Sequence, residues 1–387
     1  MKIDPYKSKE KWFEWKKDIE TGIPDISKEN SDLIKRYFND MENGFNVSSI
    51  RRGSRSFIRL NTLKTRMIFL AKKFESLYQL NSLTDLKEEQ VGTFFANMRN
   101  GTITKKKGGI FASVKDYVQD FKAFWHWWMK INKKKDIDIK DITMDLDTSV
   151  RKPDWVYLTE EDVKKLCDEA KHEYKVLIMF LFDTGIRSPT ELMNVKVSDL
   201  YNDCKELQIR EEASKTFGRK IKLMLCPELL KWYIKNQGFK QEDYLFDINP
   251  SNVNRYLKRL STRIFGDKIS PAGEKYSNLS MYDFRHCSCC YWLPRYKSES
   301  ALKYRFGWKS SDKIHYYSEL LGMKDTIAEE DMLMDVTKTE IEKKLLKSEN
   351  DKQILQDRVN QMEVQMNKVM EFMKIAGSKI DIIKELE

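Results

Sequence analysis

The chain is 387 residues long, more than one hydrophobic core usually serves, so about two or three domains are expected. Its 41% hydrophobic and 12% aromatic residues exclude a disordered chain and indicate a soluble globular protein. Lys and Arg outnumber Asp and Glu by 70 to 60, and the resulting charge of +10 favours a polyanionic partner such as nucleic acid.

The charge is unevenly distributed along the chain. Residues 338–387 carry ten basic and ten acidic side chains, so the positive surplus lies in residues 1–337, where nucleic-acid binding is expected. The longest apolar run, residues 176–182, is too short to cross a bilayer, and the first residues include Lys and Asp where a signal peptide would be apolar. We therefore expect an intracellular protein, cytoplasmic and associated with the nucleoid, that does not contact a membrane.

Six cysteines in a chain of this length are too few for a disulfide framework. Three of them, Cys287, Cys289 and Cys290, follow His286 and raise zinc binding as an alternative. The group has no partner CxxC, and its side chains would point around a helix instead of converging. We expect small buried residues there and no metal.

The N-terminal third repeats apolar residues at spacings of three and four, the pattern of amphipathic helices, in residues 28–41, 58–80, 86–98 and 114–132. These segments predict a helical bundle over residues 26–132, preceded by an extension over residues 1–25. The aromatic run at residues 124–128 has two interpretations, a platform for stacking bases or a packed core. Rings on a helix spread around its circumference, which favours core packing of at least two of them.

Two basic connectors that contain glycine join the predicted helices. They are expected to be mobile and able to approach phosphates, which makes DNA-binding candidates of their side chains. Solvated surface loops explain each connector equally well when it is taken alone. The candidate residues are Arg51, Arg52, Arg55, Lys105, Lys106 and Lys107.

A second domain is predicted over residues 155–330, after a linker over residues 133–154 that has no helical pattern. Thr159 before an acidic turn has the form of a helix N-cap. A buried helix at residues 174–182, a glycine turn and a second helix at residues 190–194 are then expected. Residues 205–211 and 219–225 alternate apolar and charged side chains and predict a β-hairpin, after which helices resume.

Residues 338–376 show a heptad pattern in which nine of eleven a and d positions are apolar. The pattern predicts a coiled coil of moderate strength, weakened by Lys352 at an a position and by Met in place of Leu. The alternative is a helix that packs along its own domain. The predicted fold is therefore mainly α-helical with a small β-hairpin or sheet and a C-terminal coiled-coil helix.

Four polar residues of the second domain are candidates for one site: Arg187, Lys215, Arg285 and Tyr317. Guanidinium groups neutralise and orient the non-bridging oxygens of a phosphate, a lysine can protonate a leaving alkoxide, and a phenol can act as nucleophile. Taken singly, each of these residues is more often an ordinary surface or core residue. Together they have the chemistry of phosphoryl transfer without a metal.

The spacing of these residues resembles the tyrosine recombinases, the phage-integrase family, of the archaeal or viral mobile-element type. Residues 184–192 resemble the family's first arginine motif, which is written roughly TGxRxxEL, and the opening at residues 158–163 is also similar. The resemblance continues in order over residues 155–322, with Lys215 on the hairpin, Arg285 followed by His, and Gly307 followed by Trp308. Tyr317 follows Trp308 by nine residues, the family's usual spacing to its nucleophile.

Two positions depart from the family's common pattern. Tyr282 stands where HxxR has its histidine, which keeps a hydrogen-bond donor but loses a group that titrates near neutral pH. Trp308 likewise offers only an indole N–H. Both are retained as site candidates that contact phosphate.

The resemblance implies a helical, SAM-like core-binding domain ahead of an α+β catalytic domain that close together on double-stranded DNA. It also implies that Tyr317 forms a 3′-phosphotyrosine, that Arg187 and Arg285 stabilise the transition state, and that Lys215 protonates the 5′-oxygen. Glu191, four residues after Arg187 on the predicted helix, is expected to support the site. No cofactor is implied, and assembly on DNA as a homo-oligomer, a tetramer, is expected.

Several functions remain open on the sequence. A mobile-element or viral integrase is favoured by the long tail and the elaborated N-terminus, and a recombinase that resolves chromosome dimers is the alternative. A type IB topoisomerase uses a similar residue set but acts as a monomer on one duplex. A non-catalytic DNA-binding regulator would tolerate loss of the arginines or the tyrosine, and all of them are present.

Overall fold

The computed structural model describes residues 3–45, 53–105, 108–149, 154–296 and 298–320, together with 348, 352–360, 362–363 and 366. Residues 1–321 form one compact unit and residues 322–387 a second. The first unit holds two separate hydrophobic cores, one in the N-terminal helices and one in the domain that follows.

The N-terminal core is enclosed by amphipathic helices whose apolar faces meet. Ser27 and Ser56 cap two of them by accepting the backbone N–H of the residue three positions on, which satisfies donors that a helix leaves free. The Glu75 carboxylate accepts from the Ser27 hydroxyl at 2.7 Å and the Asn30 amide at 2.6 Å. The helices are α1 (Ser8–Asp18), α2 (Lys28–Asn43), α3 (Phe57–Tyr78), α4 (Glu88–Asn100) and α5 (Val114–Lys133).

The bundle is larger than the sequence predicted. Helix α1 lies within the predicted extension, yet its Trp12 is fully buried in the bundle core, as are Ile19 and Ile23 after it. At the other end, Ile142 of the predicted linker is buried in the same core. Both differences arise because isolated apolar residues in charged segments give no helical repeat, although they dock on a core built elsewhere.

The aromatic run of α5 is packed in the core, as predicted. Phe124, Trp125 and Trp127 are buried, and the two buried indoles each donate a hydrogen bond, to the Lys140 carbonyl at 2.9 Å and to the Asp40 carboxylate at 2.8 Å. Burial of these rings with satisfied N–H groups is the arrangement expected of core tryptophans. A base-stacking platform built from this run is therefore wrong.

The second core belongs to a domain whose first helix begins at the predicted Thr159 cap, where the Thr159 hydroxyl accepts from the Asp162 N–H. Gly185 ends the second helix in the left-handed conformation. The elements are α6 (Glu160–Glu169), α7 (His172–Thr184), β1 (Leu200–Tyr201), β2 (Glu206–Ile209), β3 (Arg219–Lys222), α8 (Pro227–Gln237), α9 (Pro250–Phe265), α10 (Asp283–Trp292), α11 (Glu299–Phe306) and α12 (Asp312–Leu320).

The strands form an antiparallel sheet in the order β1-β2-β3, with Leu207 opposite Ile221 on the buried face. The predicted hairpin exists, but its strands are shorter and its connection, residues 210–218, is longer. The connection is closed by its own contacts, since the Glu211 carboxylate accepts the Gly218 N–H.

The predicted helix at residues 190–194 is a turn that ends in a 3₁₀ segment, Leu192–Asn194. The chain leaves the helical conformation because Val195 accepts the Leu245 N–H at 2.8 Å and Lys196 pairs with Tyr244. This extended pairing competes with continued helix. Glu191 therefore lies on a turn.

The fold class is confirmed as mainly helical with a small sheet. The described residues of the second unit are helical, and Leu355, Val359, Met362 and Met366 of the predicted seam are exposed. Pairing of that helix stays a prediction. Within the described residues, each helix is too short or too polar to span a membrane.

Candidate active site

Arg187 lies just after the C-terminus of α7, where the chain turns at Gly185. A Cβ on Gly185 would lie 2.2 Å from the Phe306 ring, so the turn requires glycine both for space and for its φ of +56°. The Arg187 guanidinium, largely buried, donates to the Glu191 carboxylate and to the Gly307 carbonyl, both at 2.7 Å. Its fork is thereby fixed in direction.

Arg285 lies in the first turn of α10 and is buried. Its guanidinium donates to the Gly185 carbonyl at 2.5 Å and to the Phe306 carbonyl at 2.6 Å. These carbonyls lie at the C-terminal ends of α7 and α11, where the helix dipole favours a cation. Burial, followed by the charge of Arg187, lowers the pKa of Arg285 to about 10, which leaves it positive at neutral pH.

Glu191 connects Arg187 to a third arginine. Arg219, the first residue of β3, donates from Nη2 to Glu191 Oε2 at 2.8 Å and from Nη1 to Oε1 at 3.3 Å, and both side chains are buried. Burial opposes the charge on Glu191, but the arginine hydrogen bonds and charges outweigh it and lower the pKa to about 2. Glu191 is thus a permanent carboxylate that orients Arg187.

Arg219 is not among the residues that the sequence predicted for the site. A signal was present, because Arg219 shares the phase of Ile221 and Leu223, the buried side of the strand. A basic residue in that phase requires a buried acidic partner.

Lys215 is exposed on the connection between β2 and β3. Its neighbours are anchored to the arginine network: the Ser214 hydroxyl donates to Glu191 at 3.3 Å, and the Thr216 hydroxyl donates to the Gly307 carbonyl at 2.9 Å. The carbonyl that binds Arg187 therefore also binds the lysine loop. This places the backbone of Lys215 beside the arginines while its ammonium group stays in solvent.

Trp308 and Tyr317 extend the same cluster. The Trp308 ring stacks on Phe306 and on Tyr317, with centroids 4.9 Å and 5.9 Å apart. The Arg285 guanidinium carbon lies 5.9 Å from the Trp308 ring centroid. The stack connects the buried arginine to the candidate nucleophile.

The two adjacent tyrosines of α12 have different partners. The Tyr317 hydroxyl lies 2.5 Å from His286 Nδ1, whereas the Tyr316 hydroxyl accepts a hydrogen bond from Trp155 Nε1 at 2.7 Å. Tyr317 is buried, and burial raises its pKa above that of a free phenol. Tyr282 is 48% exposed, and its ring edge packs on His286 with centroids 5.2 Å apart.

The basic connectors of the bundle are only partly described. Arg51, Arg52, Lys106 and Lys107 lie outside the described residues. Lys105 is exposed, with its ammonium 5.9 Å from the Phe111 ring centroid, and the Arg55 backbone N–H donates to the Met41 carbonyl at 3.0 Å. Their contact with DNA stays a prediction.

The cysteine group of α10 is packed in the core, as expected. Cys287, Cys289 and Cys290 are buried free thiols, and burial raises the pKa of each. Within the described part of the chain, no three His, Cys, Asp or Glu side chains converge as a metal site.

Comparison with known proteins places this site in a family. Residues 156–322 match the phage integrase family. Tyrosine recombinase XerA of Saccharolobus solfataricus is 34% identical over 121 residues, which cover 30% of this chain and 39% of that protein. The chain thus spans well under half the length of this curated relative.

Solved structures share the fold at low sequence identity. The lambda integrase tetramer bound to a Holliday junction has a TM-score of 0.56 at 13% identity, covering 77% of this chain and 79% of that one. The XerH recombinase in a post-cleavage complex with its difH substrate has a TM-score of 0.53 at 16% identity, and the match covers 68% of this chain and 77% of that one. The Tn1549 transposon integrase on transposon right-end DNA has a TM-score of 0.53 at 15% identity, and the match covers 80% of this chain and 98% of that one. Residues 156–322 of this chain therefore form a domain of the phage integrase family, the tyrosine recombinases.

Proposed function

We propose that this protein is a site-specific DNA recombinase that cleaves and rejoins DNA through a 3′-phosphotyrosyl intermediate. The observation that carries the proposal is the connected cluster of Arg187, Arg285, Trp308 and Tyr317 within the family-matched domain. Two fixed guanidinium groups beside one buried phenol have the composition that a phosphodiester transition state requires.

In the proposed cleavage step, the Tyr317 oxygen attacks the scissile phosphorus, and the bond from phosphorus to the 5′-oxygen breaks. Arg187 and Arg285 bind the non-bridging oxygens, on which charge accumulates, and Tyr282 and Trp308 contribute hydrogen bonds to the phosphate. Lys215, on its anchored loop, protonates the departing 5′-oxygen. The phosphotyrosine conserves the bond energy, so a 5′-hydroxyl from a second duplex can reverse the step without a cofactor.

The partner we propose is double-stranded DNA, bound between the helical bundle and the family-matched domain, with protomers assembling on it as a tetramer. The lambda integrase structure, which is a tetramer on a Holliday junction, supports this assembly by its shared fold. The net charge of +10 suits such a partner. A protein with this role acts in the cytoplasm, on the nucleoid.

For the biological role, we propose integration and excision of a mobile element or viral genome. The shared fold of the Tn1549 transposon integrase supports this role. Chromosome-dimer resolution is the second candidate. Recombination between directly repeated copies of the element's own ends, compared with copies of a chromosomal dimer site, distinguishes the two.

The test of the activity is a nicked suicide substrate, from which the cleaved end diffuses away and leaves protein trapped on DNA. We expect a covalent adduct on a 3′-phosphate. A regulator that lacks catalysis would give none. A type IB topoisomerase would give the adduct but would not exchange strands between two duplexes.

A further inference from the structure

His286 has no role in the cleavage step proposed above. It follows Arg285 on α10, and its Nδ1 lies 2.5 Å from the Tyr317 hydroxyl. Trp155 packs against the imidazole with ring centroids 4.8 Å apart, and Tyr282 lies against it at 5.2 Å. The ring is therefore held from two sides while it faces the hydroxyl that would attack DNA.

We propose that His286 is a catalytic residue that accepts the phenolic proton of Tyr317 as the tyrosine attacks phosphate. This inference rests on the proposed function and adds the group that activates its nucleophile. With the imidazole proton on Nε2, Nδ1 is an acceptor and the hydroxyl donates to it. As the bond from the Tyr317 oxygen to phosphorus forms, the phenolic proton moves to Nδ1. In the reverse step, the imidazolium returns that proton to the departing phenolate.

The need for an acceptor follows from the surroundings of Tyr317. Burial raises the pKa of the phenol, and the charge of Arg285 only partly offsets this effect. A buried neutral phenol is a weak nucleophile, so positive charge nearby does not by itself remove its proton at neutral pH. An imidazole at hydrogen-bonding distance supplies the missing base.

Other polar groups of the candidate site are less suited to this task. Tyr282 replaces the histidine of the family's pattern, and a phenol is a poor base at neutral pH. The Glu191 carboxylate is committed to Arg187 and Arg219. The Tyr316 hydroxyl accepts from Trp155. His286 thus places an imidazole one helical turn beyond the position where the family's pattern has its own.

The test compares His286→Asn with the unaltered full chain in single-turnover formation of the covalent adduct. Asparagine retains a hydrogen-bond acceptor near the position of Nδ1 but cannot take up the proton. The variant therefore separates the effect of positioning the Tyr317 hydroxyl from the effect of accepting its proton. We expect the rate to fall about 100-fold or more while DNA binding is unchanged. Added imidazole should restore part of the rate to His286→Ala, where the space is open.

A second substrate shows which proton His286 handles. In DNA with sulfur in place of the scissile 5′-oxygen, the leaving group needs no proton. Lys215→Ala should regain its rate on this substrate, whereas His286→Asn should remain slow. His315→Asn, which removes an exposed imidazole on the nucleophile's own helix, is the matched control and should retain the normal rate.

The inference is overturned if His286→Asn forms the adduct at the normal rate or faster. A faster rate would mean that the contact with His286 only holds Tyr317 in an inactive position. Recovery of His286→Asn on the sulfur substrate would also overturn it, because His286 would then act on the leaving group. Thermal unfolding checks the fold, and His286→Gln replaces the asparagine variant if that variant unfolds. Failure of the proposed function is distinct, since the unaltered protein would then form no adduct.

Discussion

The guanidinium of Arg219 donates to both carboxylate oxygens of Glu191, and neither side chain is exposed to solvent. Because Glu191 also accepts from Arg187, one carboxylate fixes an arginine of the candidate active site to the sheet. A buried ion pair of this kind is costly to break from one side, since the remaining charge is left without a partner. The pair therefore links stability and activity.

Glu191→Gln should lower the free energy of unfolding by about 3 kcal/mol or more, because Arg219 keeps its buried charge and loses its counter-ion. Cleavage should fall as well, since Arg187 loses its anchor. Urea unfolding and adduct formation measure the two effects. Glu212→Gln, which removes an exposed carboxylate of the connection between β2 and β3, is the control and should change neither greatly.

Stability should depend on acid pH through the same carboxylate. Its pKa of about 2 in the folded protein lies below the ordinary value of 4.5, so its contribution is fully present above pH 4.5. The contribution is lost as the pH falls from 4.5 toward 2, and amounts to about 3 kcal/mol. Unfolding free energies between pH 3 and 7 check this. A profile for Glu191→Gln that declines as steeply as the normal one would contradict it.

Arg187→Ala and Arg285→Ala should each lower the cleavage rate by at least about 100-fold, an effect on the order of 3 kcal/mol. Each change removes a guanidinium group that stabilises the charge on the phosphate in the transition state. Circular dichroism should show an intact fold. Single-turnover cleavage is the measurement, and a near-normal rate for either variant would exclude that arginine from the site.

Tyr317→Phe should abolish the covalent adduct while DNA binding persists, because the change removes the nucleophile and little else. Tyr316→Phe is the matched control one residue away and should still form the adduct, since its hydroxyl accepts from Trp155. Mass spectrometry of the trapped peptide identifies the linked tyrosine. An adduct on Tyr316 would show that Tyr316, and not Tyr317, is the nucleophile.

Full cleavage is expected in EDTA, because the proposed chemistry uses arginines and a lysine where other enzymes use a divalent ion. Adduct yield with and without chelator is the measurement. Strict dependence on a divalent ion would contradict the mechanism.

Truncation after residue 337 should leave single-site DNA binding intact but weaken assembly and strand exchange. Residues 338–376 carry a nearly complete heptad seam, and Leu355 and Met366 within it are exposed. Light scattering of the full and shortened chains, free and on DNA, measures the effect. Identical assembly by both would mean that the helix serves only its own domain.

The sequence motifs predicted which residues of the candidate site lie together better than hydrophobic periodicity predicted the extent of the helical bundle. Spacing predicted that Arg187, Arg285 and Tyr317 belong to one site, because a motif records residues that must converge. It could not predict that His286 faces Tyr317, which depends on how α10 packs against α12, or that Arg219 pairs with Glu191, which lies 28 residues away in the sequence. Helix α1 was missed because its buried Trp12 stands among charged residues and completes a core formed by other helices.

Both arginines of the candidate site are bound by main-chain carbonyls of residues that end or follow helices: Gly307 binds Arg187, and Gly185 binds Arg285. Arg187 follows α7 and donates to the residue after α11, whereas Arg285 on α10 donates to the residue after α7, so the two contacts connect three helices. The separation of the two positive charges therefore depends on the placement of these helices as well as on the Glu191 carboxylate that orients Arg187. A single inserted residue beside either glycine should therefore change the distance between the two charges.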